Sequence, residues 1–113
     1  MEIKELTKKV IRFRDERNWK QFHNPKDLAL SLSLEASELL ENFQWKESDE
    51  AILENKDKIE EELADVLIYS MLIANELELD IDNIVNNKLQ KNEMKYPVNK
   101  AYGNKSKYTD LSK

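Results

Sequence analysis

The chain has no cysteine, one histidine, one glycine and two prolines in 113 residues. Without cysteine there is no thiol nucleophile, disulfide, zinc ribbon or iron–sulfur cluster. His23 alone cannot build a multi-histidine metal site, and without cysteine no Cys-His nucleophile can form. So few turn-formers are hard to reconcile with a β-sandwich or barrel. The only glycine, Gly103, lies near the end of the chain, so no glycine-rich phosphate loop is present. No apolar run approaches the 18 or so residues of a membrane span. The first ten residues mix both charge signs and do not read as a signal peptide. A net charge of −5 argues against a protein that coats nucleic acid polymers. These exclusions lead to the expectation of a soluble cytoplasmic protein with no membrane partner.

What remains is 36% charged and 40% hydrophobic, rich in Leu, Ala, Glu, Lys and Ile, a composition suited to helices. The length suits one domain over residues 1–113. Ile3, Leu6, Val10 and Phe13 recur at helical spacing and predict a first helix over residues 3–18, with Arg17 joining the apolar face by its stem. Asn24, Pro25 and Asp27 form a helix start, and that second helix runs to about Phe43. Ser48 is a candidate cap for a turn over residues 50–54, followed by a stronger helix over residues 56–77. Asp80 caps a fourth helix that stops before Pro97, and residues 97–113 form a polar, Lys-rich tail. The reading is an all-α antiparallel bundle of about four helices. The third helix is apolar nearly all round over residues 63–74, which predicts that the bundle is completed by oligomerisation.

The anomaly is where the acids stand. Glu35 and Glu38 interrupt an apolar stretch over residues 28–40; Asp65 interrupts the run 63–74, with Glu62 one turn before it. Residues three apart on a helix sit about 60° apart around the axis and about 4.5 Å along it, so each pair shares a face. Carboxylates on an apolar face are costly unless neutralised, and neither stretch holds a Lys or Arg. A divalent cation solves the problem, and an all-oxygen donor set favours Mg²⁺ or Mn²⁺ over zinc. The competing explanation is an acidic edge met by lysines of a neighbouring helix. Glu41 and Glu61 extend the two motifs outward, as a further ligand or base or as a solvated flank.

Two further groupings stand out. Trp19, Phe22 and His23 precede the second helix, Trp45 follows it, and Tyr69 is one turn beyond Asp65. Two Trp in loops can clamp a planar base or plug the ends of a bundle. From Asn86 onward there are seven lysines against Glu93 and Asp110, a local +5 that leaves −10 elsewhere. Lys88, Lys91 and Lys95 lie close to one helical face, suited to phosphate or simply to solvent.

Together, Glu35-x-x-Glu38 and Glu62-x-x-Asp65 resemble the motif of the MazG-like all-α nucleoside triphosphate pyrophosphohydrolases. The segments WKQFHNPKDLALSLSLEASELLENFQWK and EELADVLIYSMLIA, with KYPV and KYTDL, are similar to the dCTP pyrophosphatase branch from Trp19 onward. The resemblance implies Mg²⁺ on Glu35, Glu38, Glu62 and Asp65, with Mn²⁺ a possible substitute, and cleavage of a deoxynucleoside triphosphate between its α and β phosphates. It implies base and sugar contacts from Trp19, His23, Trp45 and Tyr69. It also implies phosphate handling or pocket closure by Lys88, Asn92, Lys95 and Tyr96, and a homodimer or a homotetramer built as a dimer of dimers. The branch often has Arg where this chain has Lys95, which turns a two-pronged phosphate contact into a point charge. The expected role is hydrolysis of dCTP or a modified dCTP in nucleotide-pool cleaning. The alternatives are a dUTP or broad-specificity pyrophosphohydrolase, and a non-catalytic helical interaction module.

Overall fold

A computed structural model describes residues 2–111. It is all-helical, with no strand among the described residues. Helices α1 (Ile3–Glu16), α2 (Pro25–Glu41) and α3 (Ser48–Glu76) belong to one compact unit. Helices α4 (Ile81–Lys95), α5 (Val98–Ala101) and α6 (Tyr108–Leu111) belong to a second, which starts at Asp80.

The start signals act as their residues suggest. The Asn24 side chain accepts a hydrogen bond from the Asp27 backbone N–H at 2.9 Å, and its amide donates to Asp27 Oδ2 at 2.7 Å. Pro25 takes the first helical position, where its missing N–H costs nothing. Asp80 caps α4 in the same way, accepting from the Asn83 N–H at 3.3 Å. Replacing Asn24 with alanine should cost about 1 kcal/mol in urea unfolding, because two first-turn groups lose their partner at once.

Three boundaries differ from the sequence reading. Helix α1 ends at Glu16, two residues early, because Asn18 turns the chain at φ 55°, a left-handed conformation that asparagine tolerates. Helix α2 ends at Glu41 rather than Phe43. Ser48 is inside α3 and does not cap it: Glu47 holds the cap position without a side-chain bond, and Asp49 and Glu50 complement the helix dipole instead. The separate turn expected over residues 50–54 is the first part of α3, which breaks at Asn55 (φ −123°, ψ 19°). Beyond Pro97 the polar, Lys-rich tail carries two single-turn helices, α5 and α6.

Leu28, Ala51, Met71, Leu72 and Ala74 are the buried apolar residues. Helix α3 is the centre of its unit, with α2 and α1 both packed on it. Contacts pair Asn42 with Asn55, Glu38 with Glu62, and Glu35 with Asp65. The numbers fall along one helix as they rise along the other, so α2 and α3 run antiparallel. Only part of the apolar run in α3 is covered. Met71 and Leu72 are each 5% exposed, whereas Leu63 and Leu67 are 48% and 52% exposed. Leu30 and Leu34 of α2 are 61% and 57% exposed. The i, i+4 spacing of each pair makes an apolar stripe.

Candidate active site

The antiparallel pairing of α2 with α3 sets the two acidic motifs against each other. One carboxylate oxygen each from Glu35, Glu62 and Asp65 lies within 4.8 Å of the other two. Glu38 adjoins the group, close enough to Glu35 and Glu62 to push both carboxyls upward. No Lys, Arg or His comes within ion-pairing distance of any of the four among the described residues.

The electrostatic consequence is large. Partial burial, then the hydrogen bond to Glu38, then repulsion from Glu38, Asp65 and Glu62 push the Glu35 carboxyl up to about 7. Glu62 is raised for the same reasons: desolvation first, then its hydrogen bond to Glu38 and repulsion from Glu38 and Asp65. Glu35 Oε2 is buried without a hydrogen-bond partner. Converging acids, an orphaned buried oxygen and an all-carboxylate donor set fit a hard divalent cation. A lysine-satisfied acidic edge does not describe this cluster.

Two cavities flank the acids. Asp65 lines one of about 370 Å³, whose walls come from α1, the turn after it, and α3. Trp19, His23 and Tyr69 meet here, as the sequence reading expected. The ring of Trp19 packs edge-on against Phe13, with centroids 5.6 Å apart at 74°. The Arg17 guanidinium lies 3.7 Å over the Phe13 ring and fixes this wall from the solvent side. His23 Nδ1 is buried and has no hydrogen-bond partner. Glu38 and Glu62 line the other cavity, about 490 Å³ and polar, with Glu41, Glu61, Lys58 and Asn42. The acidic cluster thus stands between an aromatic pocket and a polar cleft.

Trp45 does not join the pocket. It sits in the loop after α2 at φ 65° and is fully exposed. Lys88, Asn92 and Lys95 lie on α4, with Tyr96 at its C-cap, in the second unit. Lys88 and Lys95 are exposed there, and the Asn92 carbonyl accepts the Tyr96 N–H at 2.7 Å.

The sequence reading missed the contribution of α1. Phe13 was read as core and Arg17 as the arginine on the apolar face; in the structure Arg14 is the buried one, at 4% exposure, and Arg17 is exposed. Spacing alone does not separate the two: Arg14 stands four residues after Val10, and Arg17 four after Phe13.

Helices that set Glu-x-x-Glu against Glu-x-x-Asp beside an aromatic pocket make an all-α site whose all-carboxylate donor set fits a divalent cation. The sequence profile of the MazG-like family matches residues 30–111. Rat dCTP pyrophosphatase 1 (Rattus norvegicus) is 38% identical, across 96% of this chain and 67% of its own length. The human protein of that name (Homo sapiens) is 35% identical over the same shares. The crystal structure of a pyrophosphatase from Archaeoglobus fulgidus DSM 4304 superposes with a TM-score of 0.79 at 44% identity, over 84% of this chain and 92% of that one. The chain belongs to the MazG-like family, and with it to the nucleoside triphosphate pyrophosphohydrolases.

Proposed function

We propose that this pyrophosphohydrolase hydrolyses dCTP, or a dCTP modified on the base, to the monophosphate and pyrophosphate in cytoplasmic nucleotide-pool cleaning. The observation that carries the reading is the convergence of Glu35 and Glu62 on Asp65, which itself lines a cavity walled by Trp19 and Tyr69. The dCTP pyrophosphatases among its relatives supply the base. No helix among the described residues is long and apolar enough to cross a membrane, which suits a nucleotide substrate from solution.

Glu35, Glu38, Glu62 and Asp65 would hold Mg²⁺, with Mn²⁺ a substitute. When bound, such an ion polarises phosphoryl oxygens and makes a water nucleophilic near neutral pH. The protein's own part is positional. Trp19 and Tyr69 hold the base, which leaves the α-phosphorus beside the carboxylates and directs the β and γ phosphates toward the cleft of Glu38 and Glu62. Water oxygen attacks the α-phosphorus, the bond to the α–β bridging oxygen breaks, and pyrophosphate leaves with that oxygen. A carboxylate takes the proton from the water; Glu41 and Glu61 are exposed in the same cleft and suited to that task. Lys88, Asn92, Lys95, Tyr96 and Trp45 are proposed to contact substrate in the working assembly, within one functional domain spanning 1–113. That assembly is a homodimer or a homotetramer, a reading supported by the uncovered stripes at Leu30 and Leu34 and at Leu63 and Leu67.

The test is product analysis. The purified protein is incubated with each common dNTP and NTP, with Mg²⁺ and with EDTA, and the products are resolved by ion exchange. Monophosphate plus pyrophosphate, only with Mg²⁺ and fastest from dCTP, is expected, from a preparation that sediments as a dimer or tetramer. Another base turned over fastest would move the substrate; no turnover of any nucleotide would sink the reading.

A further inference from the structure

We infer that Arg14, together with His23, reads the hydrogen-bonding edge of a cytosine base in the cavity between α1 and α3. The inference rests on the nucleotide reading above; it adds Arg14 as a specificity-determining residue and assigns His23 a particular bond.

Arg14 is the one charged side chain buried in the described structure, and it lines the aromatic cavity. An arginine buried for structure alone would have its five donors occupied. This one is only partly held. Its Nε donates to Asp15 Oδ1 at 2.9 Å, and its Nη2 reaches the same oxygen at 2.8 Å. Its Nη1 is 4.0 Å from Glu76 Oε2, an ion-pairing distance but too long for a hydrogen bond. The two carboxylates hold the guanidinium, and Nη1, ion-paired with Glu76, makes no hydrogen bond. In the same cavity His23 Nδ1 is buried and unpartnered. One buried nitrogen without a partner, His23 Nδ1, and one buried guanidinium that is only partly hydrogen-bonded thus share a pocket whose other walls include Val10, Phe13 and Leu72.

Buried polar groups without partners are costly, so the occupant should supply the missing bonds. A guanidinium only donates; it needs acceptors. Cytosine carries two adjacent acceptors, O2 and N3, and next to them an amino group that donates. Arg14 would meet the acceptors, and His23 Nδ1, with the ring proton on Nε2, would accept from the 4-amino group. Uracil and thymine carry N–H at position 3, which would face the arginine donor to donor. Stacking on Trp19 tolerates any base, so discrimination falls to these two side chains.

The experiment compares kcat/KM for dCTP, 3-deaza-dCTP and dUTP in the wild-type enzyme, Arg14→Met and Arg14→Lys. The deaza analogue keeps the shape of the base but replaces the N3 acceptor with C–H. The wild type should favour dCTP over the analogue by about tenfold or more, the usual scale for a hydrogen bond to a charged group. In Arg14→Met that ratio should fall to about two or less, and the preference for dCTP over dUTP should shrink with it. Each ratio is taken within one preparation, so a partly unfolded sample does not distort it. If the methionine variant does not fold, Arg14→Lys, which keeps the charge near Glu76 but loses the planar fork, is read by the same fall in ratio. A wild-type enzyme indifferent to the deaza substitution, or ratios unchanged in a folded variant, overturns the inference while leaving the pyrophosphohydrolase reading intact. Loss of all nucleotide turnover in the wild type removes both.

Discussion

Asp65→Asn should lower kcat/KM for the preferred triphosphate by at least about a hundredfold while raising the Tm of the metal-free protein by a few degrees. The two effects have one cause. Asp65 contributes an oxygen within 4.8 Å of Glu35 and Glu62, and its charge helps to drive the Glu35 carboxyl up to about 7. Neutralising it removes one of the proposed cation donors and relieves repulsion among the converging carboxylates. Steady-state kinetics with saturating Mg²⁺, beside thermal melts in EDTA, read both quantities from one preparation. Full activity would take Asp65 out of the site. A lower Tm would mean that the carboxylate holds the fold, as a structural acid would.

The same cluster makes the stability of the protein depend on pH in a direction opposite to most acids. The Glu35 carboxyl has a higher pKa folded than unfolded, so between about 4.5 and about 7 the native state binds more protons than the unfolded one. In EDTA, stability contributed by this group is fully present below about 4.5 and is lost as pH rises through about 7. Glu62 is shifted the same way and adds to the slope. Divalent cation competes with those protons, so the gain in Tm on adding Mg²⁺ should be small at pH 5 and large at pH 8. Melts across that range, with and without Mg²⁺, test this. Glu35→Gln should flatten the EDTA series. A stabilisation by Mg²⁺ that is independent of pH would mean that the ion binds elsewhere.

How much of this could be read beforehand depended on whether the signal was local. The caps at Asn24 and Asp80 act between residues three apart, and both were legible. So was the division of the third helix near Asn55, because composition changes there. The meeting of the two acidic pairs was legible for a different reason: carboxylates inside apolar runs are costly, and two such pairs on consecutive helices ask for a shared solution. What was not legible depends on which stripe faces which helix. Arg14 and Arg17 are three residues apart and both adjoin the apolar face of α1; only the packing of α1 on α3 decides that the first is buried and the second stacks outside on Phe13. Trp45 follows the same rule. Its motif suggests a pocket, while a backbone at φ 65° leaves it fully exposed.

The break at Asn55 has a bearing on how this kind of chain can change length. The Asn55 side chain donates to the Asn42 carbonyl at 3.0 Å, which ties the second part of α3 directly to the end of α2. The intervening loop and first turns are therefore bypassed. In an unbroken helix, each residue inserted upstream would rotate Glu62 and Asp65 by about 100° about the axis. Here the break at Asn55 interrupts that rigid coupling, so a length change between Asn42 and Asn55 meets a kink before it reaches Glu62 and Asp65. Sequence drift in that interval can remodel the rim of the site while the array of converging carboxylates keeps its register.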